Sequence, residues 1–384
     1  MIIEIKGVQF INKGAELMLQ AVLQHINHQW PDSKIVLAPS KNSSYSDRIK
    51  IGALQKFNLR KGKLDLNRLS YYMPKRFRKF LMESYGIVTE VDVDVMLDAS
   101  GFAYSDKWGS LVIKHLASEI IRFDSVEKKY IFLPQALGPF TKPDDLKLLR
   151  SSLPKASLIC AREDVSFSYI DSINSNKKNM KVFPDFTNLV QGILPEYYTG
   201  GEKKIVVIPN HNMINEKNEN KDWVHSYIDI LSLSIELIIK NGYIPVLLNH
   251  EGAQDGSICT QVNERFNGVI DIINEKDPLK VKGIIGASAA IICSRFHGCV
   301  SALCQGVPCI GTSWSHKYEQ LFNEYGRGEF LISPHIDKEE LDSLLLECLD
   351  KKSKNYSEYV DKIIAFKNEV RTMWMEIDNC LGNK

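Results

Sequence analysis

Ser294-Arg295-Phe296-His297 follows an apolar run, Ala289-Ala290-Ile291-Ile292-Cys293, and precedes Gly306-Val307-Pro308-Cys309-Ile310-Gly311 and then His316-Lys317. A buried strand, a polar turn carrying Arg and His, a helix and a second short strand is the order in which an open α/β sheet presents chemistry. Ligands in such sheets sit outside the carboxyl ends of the strands. Arg295 supplies a permanent guanidinium, His297 a titratable imidazole and Lys317 an ammonium. That set suits an anionic, phosphate-bearing substrate that also needs a proton moved. His316 is an alternative titrating group, although adjacent residues on a helix point about 100° apart. The residue types also allow a structural reading, in which Arg295 pairs with a nearby acid and His297 caps the helix.

Other strand-end turns carry weaker signals. Ala161-Arg162-Glu163-Asp164-Val165-Ser166 follows the apolar segment Leu158–Cys160. Its acids favour the positive end of the helix that follows, and Arg162 lies beside them at the sheet's carboxyl edge. Asn12-Lys13-Gly14-Ala15-Glu16 joins the first strand to the first helix, with one glycine and no dinucleotide or Walker pattern. Asp98-Ala99-Ser100-Gly101-Phe102-Ala103-Tyr104-Ser105-Asp106 mixes carboxylates, hydroxyls and aromatics, as a sugar-binding loop does. Gln135-Ala136-Leu137-Gly138-Pro139 is a further turn of this kind.

These turns need a scaffold of alternating strands and helices, and the sequence has the patterning for one. Short apolar runs at Ile2–Ile5, Ile35–Ala38, Val93–Leu97, Tyr130–Leu133, Leu158–Cys160 and Lys181–Phe183 predict strands in the first half. Gly14–Gln29 has helical spacing. The basic stretch Ser40–Arg78 interrupts the pattern and reads as an excursion, with some helix near Pro74–Ser84. Pro and Gly cluster in Leu194–Glu202, which reads as a linker. Strands are then predicted at Ile205–Ile208, Ile244–Leu248, Val269–Ile272, Ala290–Cys293 and Pro308–Gly311, with helices between them and a helical tail from Lys338. The expectation is an α/β fold of two Rossmann-like lobes: an N-terminal lobe over 1–190, a C-terminal lobe over 203–335, and C-terminal helices over 336–384 packing back toward the first lobe.

At 384 residues the chain is long enough for two domains, since single cores rarely grow past ~250–300 residues. Its net charge of +1 gives no reason to expect nucleic acid as a partner. No stretch approaches the ~20 apolar residues of a membrane span, and the opening residues are too acidic for a signal peptide. A cytoplasmic protein is expected. The eight cysteines form no C-x-x-C pair, so they read as small buried hydrophobes, and no metal is expected.

The run from Ser294 to Gly298, continuing through Gly306–Gly311 to Lys317, resembles the polysaccharide pyruvyl transferases. Asn12-Lys13-Gly14, the Gln135–Pro139 turn and Ala161–Asp164 with Ser166 support the likeness in the right order. The resemblance implies a GT-B-like fold. It also implies transfer of the pyruvyl group of phosphoenolpyruvate to two hydroxyls of a saccharide acceptor, with a cyclic ketal formed and phosphate released. Arg162, Arg295 and Lys317 would hold the donor, His297 with Arg295 would serve catalysis, and no cofactor is needed. Glu16, Asp98 and Asp106 are the carboxylates that could act on the acceptor hydroxyls, the alternative base being deprotonated His297. The acceptor lobe would be the first and the donor lobe the second. The chain has Asp98-Ala99-Ser100-Gly101 where many members carry a run of glycines, a departure that bears on the acceptor. A lipid-linked acceptor would draw the protein to the inner face of the membrane. Two other readings are a GT-B glycosyltransferase using a nucleotide sugar and a non-catalytic sugar-binding subunit.

Overall fold

A computed structural model of the protein describes residues 1–62, 64–215, 218, 220–314 and 317–382. The chain divides into two units. The first comprises Met1–Ile11, Met18–Phe186 and Glu369–Lys384; the second comprises Asn12–Leu17 and Thr187–Asn368.

The first unit is built on a wholly parallel eight-stranded sheet. In chain order its strands are β1 (Ile2–Lys6), β2 (Lys34–Leu37), β3 (Leu54–Lys56), β6 (Ile87–Val88), β7 (Val95–Asp98), β8 (Lys129–Gln135), β9 (Leu158–Ala161) and β10 (Met180–Val182). A small antiparallel pair, β4 (Arg60–Lys61) and β5 (Leu64–Asp65), lies outside it. The spatial order is β10-β9-β8-β7-β1-β2-β3-β6, which reverses direction between β7 and β1. Helices α4 (Ser110–Asp124), α5 (Pro143–Ser152) and α6 (Asp164–Asp171) connect β7 through β10. The expected strands are present with ends shifted by a residue or two. The helix expected near Pro74–Ser84 is α3 (Lys75–Tyr85), but the stretch read as an excursion also contributes β3 to this sheet and forms α2 (Tyr45–Lys50). Three-residue strands bury too little for periodicity to register, so pairing with neighbours decides them.

The second unit carries a five-stranded parallel sheet of β11 (Lys204–Ile208), β12 (Ile244–Leu248), β13 (Asp271–Ile273), β14 (Ala290–Cys293) and β15 (Cys309–Gly311). Its order is β13-β12-β11-β14-β15, with the topological switch between β11 and β14. Helices α7 (Lys221–Lys240), α8 (Gly252–Glu264), α9 (Pro278–Ala287), α10 (Phe296–Leu303) and α11 (Lys317–Glu324) supply the layers, followed by α12 (Lys338–Leu349). Buried β-branched and aliphatic residues make β11, β12 and β14 apolar on both faces, as parallel strands covered on both sides must be. Helix α13 (Lys354–Leu381) divides its residues between the two units, as does α1 (Lys13–Gln29).

Strand β1 of the first unit alternates Ile3 and Ile5 with Glu4 and Lys6, so its two faces differ in kind. Glu4 on the charged face is buried and Lys6 partly so, and both are paired. Lys6 Nζ lies 2.6 Å from Glu119 Oε2 of α4, and Lys56 Nζ lies 2.6 Å from Glu4 and 3.2 Å from Glu119. Arg60 reaches Glu119 at 3.0 Å, and Arg122 reaches Glu90 at 2.5 Å and Asp65 at 3.1 Å. Burial pushes the Glu4 carboxyl up to about 7, with Lys56 opposing the shift and Glu119 adding to it.

Candidate functional site

In the second unit, the chain leaves β14 through Ser294, whose backbone and side chain are both held. Its carbonyl accepts from Asn210 Nδ2 and from Tyr318 OH, each at 2.8 Å. Its hydroxyl accepts from Tyr227 OH at 2.6 Å and from Thr312 Oγ1 at 2.7 Å. Asn210 follows β11 and Thr312 follows β15, so three strand ends are laced together at the carboxyl edge of the sheet, where open α/β folds place their ligands. The lacing fixes the next residue, Arg295, at the N-cap of α10.

Arg295 is gripped by two acids that follow β12. Its Nε lies 2.7 Å from Asp255 Oδ2 and its Nη2 lies 2.5 Å from Asp255 Oδ1, a bidentate fork, while Nη1 donates to Glu251 Oε2. Asp255 also accepts from the backbone N–H of His211 at 3.0 Å. Burial works against the Arg295 cation, but the bond and charge of Asp255 and then Glu251 outweigh it and raise its pKa. Burial raises the Glu251 carboxyl, against the pull of Arg295. A guanidinium has five N–H donors. Three serve these acids, which leaves two for a further anion.

His297 lies in the first turn of α10, two residues later. The helix α1 starts against it: a Cβ built on Gly14 would lie 2.0 Å from His297 Nδ1. Only glycine lets the first turn of α1 approach the imidazole so closely, which gives Gly14 a reason other than phosphate binding. Asn12 caps α1 by accepting from the Ala15 N–H at 3.0 Å, and its amide donates to Glu251 Oε1 at 3.0 Å. The Asn12–Glu16 segment therefore joins the same cluster. Within it, Lys13 Nζ is 2.6 Å from Glu16 Oε2.

His250 completes the group. It is 6% exposed, and its Nδ1 has no hydrogen-bond partner among the described residues. Burial, and then the charges of Arg295, His297 and Lys13, hold its pKa well below the usual histidine value. Lys317, at the start of α11, places its ammonium 4.7 Å from the Phe296 ring centroid, 5.1 Å from Trp314 and 5.6 Å from Tyr318. Those distances are in the range of cation–π attraction. His316 lies outside the described residues.

The first unit holds the other expected positions. Asp98 ends β7 fully buried; Tyr104 OH and Tyr130 OH each donate to its Oδ2 at 2.6 Å, and Ser100 donates to Oδ1 through Oγ at 2.5 Å and N at 3.1 Å. In this setting the carboxylate ties strand ends together. Burial and the Asp98 charge push both tyrosines up. Asp106 Oδ2 accepts from Thr141 through N at 2.9 Å and Oγ1 at 2.7 Å, closing the turn that follows Pro139. Arg162 sits 3.8 Å from Glu163 and 3.9 Å from Asp185, with its N–H donating to Gln135 O at 3.1 Å. Gln135 Nε2 in turn donates to Asp98 O at 3.0 Å, and the Leu137 N–H to Ser166 Oγ at 2.8 Å. The turns after β7, β8 and β9 thus form one interlocked edge.

Thus Arg295, His297, Lys13 and Glu16 meet in the second unit, while Arg162, Asp98 and Asp106 lie in the strand-end turns of the first, each with its own partners. Sequence reasoning missed Glu251, Asp255 and His250. Their signal was present, since Asn249-His250-Glu251 directly follows a recognised strand, but an acidic strand-end loop says nothing about which cation it will meet. Among the described residues no group of three or more His, Cys, Asp or Glu is placed to hold a metal, and no helix is long and apolar enough to cross a membrane.

Several solved structures share the fold at very low sequence identity. A UDP-GlcNAc 2-epimerase from Neisseria meningitidis, bound to UDP-GlcNAc, aligns with a TM-score of 0.60 at 9% identity, covering 98% of this chain and 99% of its own. A glycosyltransferase from Rickettsia africae aligns at 0.57 and 12% identity, covering 100% and 99%. A putative UDP-N-acetylglucosamine 2-epimerase from Listeria monocytogenes aligns at 0.56 and 10%, covering 98% and 97%. The likeness shows a GT-B-like α/β fold. No curated protein matches the sequence. The family model for polysaccharide pyruvyl transferase matches residues 12–316, a span that takes in the Asn12–Gly14 turn, the Arg162 turn and the Arg295–His297 turn alike, and the chain therefore belongs to the polysaccharide pyruvyl transferase family.

Proposed function

We propose that this protein transfers the pyruvyl group of phosphoenolpyruvate to two hydroxyls of one saccharide residue. The reading rests chiefly on one observation: in a chain of this family, Arg295, His297, His250 and Lys13 gather at the carboxyl edge of one parallel sheet. A donor carrying both phosphate and carboxylate calls for several cations. Arg295 has two N–H donors to offer and Lys317 a further positive charge, and Arg162 is assigned to the same donor by the family likeness.

The reaction balances in atoms and protons. His297, as the imidazolium, protonates the methylene carbon of phosphoenolpyruvate, and the first acceptor hydroxyl adds at C2. The C2–O bond to phosphate then breaks, and the second hydroxyl closes the ketal. Of the two hydroxyl protons, one replaces that given up by His297 and the other leaves on phosphate. Glu16 and Asp106 remain candidates for the base. Glu251 joins them as a carboxyl whose pKa burial has raised. Asp98 serves the scaffold. No step calls for a metal or other cofactor.

The test is mass spectrometry of saccharide acceptors after incubation with phosphoenolpyruvate, alongside an assay of released phosphate. The product should gain pyruvate less one water, with one phosphate released per ketal. Glycosyl transfer from a nucleotide sugar, with no reaction of phosphoenolpyruvate, would replace this reading with the glycosyltransferase one.

A further inference from the structure

The segment from Leu64 to Tyr85 in the first unit has its polarity inside out. Residues Asn67–Tyr72 form a 3₁₀ helix, in which positions three apart lie on one ridge. Asn67 and Ser70 form the inward ridge, at 2% and 4% exposure. Asn67 accepts from the Leu59 N–H, and the Ser70 hydroxyl donates to the Asn67 carbonyl. The outward ridge is Leu66, Leu69 and Tyr72, exposed to 37%, 47% and 85%. A soluble surface normally has the opposite arrangement.

Helix α3 continues the pattern. Arg78 and Met82, one turn apart, face inward: Arg78 donates to Asp92 and to the Met73 carbonyl, and Met82 packs on the apolar core of the unit. At 100° per residue, Phe77 and Phe80 are turned away from that side, and they are 48% and 50% exposed. Tyr85 is 65% exposed and meets Phe80 edge to face at 5.7 Å. Arg68, Lys75, Arg76 and Lys79 are exposed among these rings, opposed on α3 by Glu83, which lies 3.6 Å from Lys79.

We propose that this face, the 3₁₀ ridge together with the outer side of α3, docks onto a bilayer surface bearing anionic headgroups. Exposed phenyl rings and leucines suit the boundary between headgroups and acyl chains, tyrosines are at home at that depth, and basic side chains attract the headgroup charge. A second copy of the chain fits poorly, because a two-fold interface would set the same cations against each other. This face shares no residue with the site of the reaction proposed above.

Sedimentation of the full chain with sized vesicles tests it. The protein should pellet with phosphatidylglycerol–phosphatidylethanolamine vesicles and much less with phosphatidylcholine alone, and added salt should release it. Lys75→Glu, Arg76→Glu and Lys79→Glu together should weaken partitioning by at least ~10²-fold, since each basic residue near such a surface contributes roughly fivefold. Phe77→Ser with Phe80→Ser should weaken it comparably, and Val269→Ser, an exposed apolar change in the second unit, should leave it unchanged. Phe80→Trp should show a blue-shifted emission on anionic vesicles. All the substituted side chains are exposed, so a circular dichroism spectrum and melting temperature like the parent's are expected. Binding that ignores headgroup charge, wild-type protein that stays in the supernatant, or a dimer in solution that Phe77→Ser and Phe80→Ser disperse would each overturn the proposal.

Discussion

Gly14→Ala is the sharpest perturbation the site offers, because two physical effects of opposite sign meet at one atom. Gly14 lies in the first turn of α1, and a glycine-to-alanine change in a helix ordinarily stabilises by up to ~1 kcal/mol. Here the added methyl would stand 2.0 Å from His297 Nδ1 and 2.5 Å from its Cγ. Ordinary contact between such atoms is about 3.5–4.0 Å, so the ring or the helix must move by roughly 1.5 Å. Overpacking of that kind costs about 1–3 kcal/mol. The contact should win, and with ~2–4 °C per kcal/mol for a domain of this size the melting temperature should fall by several degrees. Misplacing a reacting group by ~1 Å can cost ~10²-fold in rate, so phosphate release from phosphoenolpyruvate should drop by about that factor. Calorimetry, the histidine ring signals in a ¹⁵N-edited NMR spectrum and single-turnover kinetics would follow the three consequences. In a His297→Ala background the obstacle is gone, and Gly14→Ala should turn neutral or stabilising. A raised melting temperature in the wild-type background, or an unchanged penalty in the double variant, would refute the reasoning.

Other outcomes follow from the same geometry. His297→Gln should lose turnover by ~10²–10⁴-fold and keep donor affinity within a few-fold, which isothermal titration with phosphoenolpyruvate beside product mass spectrometry would separate. Arg295→Lys should weaken donor binding and lower the melting temperature together, because a point charge cannot reproduce the fork on Asp255. His250 has a pKa lowered by burial, so its stabilising contribution is present above about pH 6.5 and is lost as pH falls. His250→Gln should therefore blunt acid destabilisation below that point in urea titrations; an unchanged acid limb would contradict the assignment. Glu4 is raised from 4.5 to about 7, so its contribution is full below pH 4.5 and is lost as pH rises through 7. Glu4→Gln should flatten the pH dependence of unfolding in that window, and the same melting-temperature slope in variant and parent would count against it.

The alternation of strands and helices, the edge at which Arg295 and His297 sit, and the family were all legible in the residues themselves. Those features are local: a buried strand is an apolar run, a turn follows it, and a motif is contiguous. Even so, β3 and the basic stretch around it escaped, because a strand of three residues takes its stability from its neighbours in the sheet.

What the sequence determined was therefore the identity of the chemical groups and the edge they occupy. Tertiary structure decided their partners. Arg295 meets Glu251 and Asp255 because β12 lies next to β11 in the sheet, with β14 on its other side, an order that no spacing encodes. Gly14 matters because α1 begins against an imidazole far along the chain, and Asp98 became a scaffold residue because two tyrosines and a serine close around it. Glu4 and Lys6 look like the solvent face of an edge strand until Lys56 and Glu119 fold over them. Periodicity reports which face of an element is polar. Whether that face meets water, a counter-charge or a lipid is settled by what the rest of the chain brings against it.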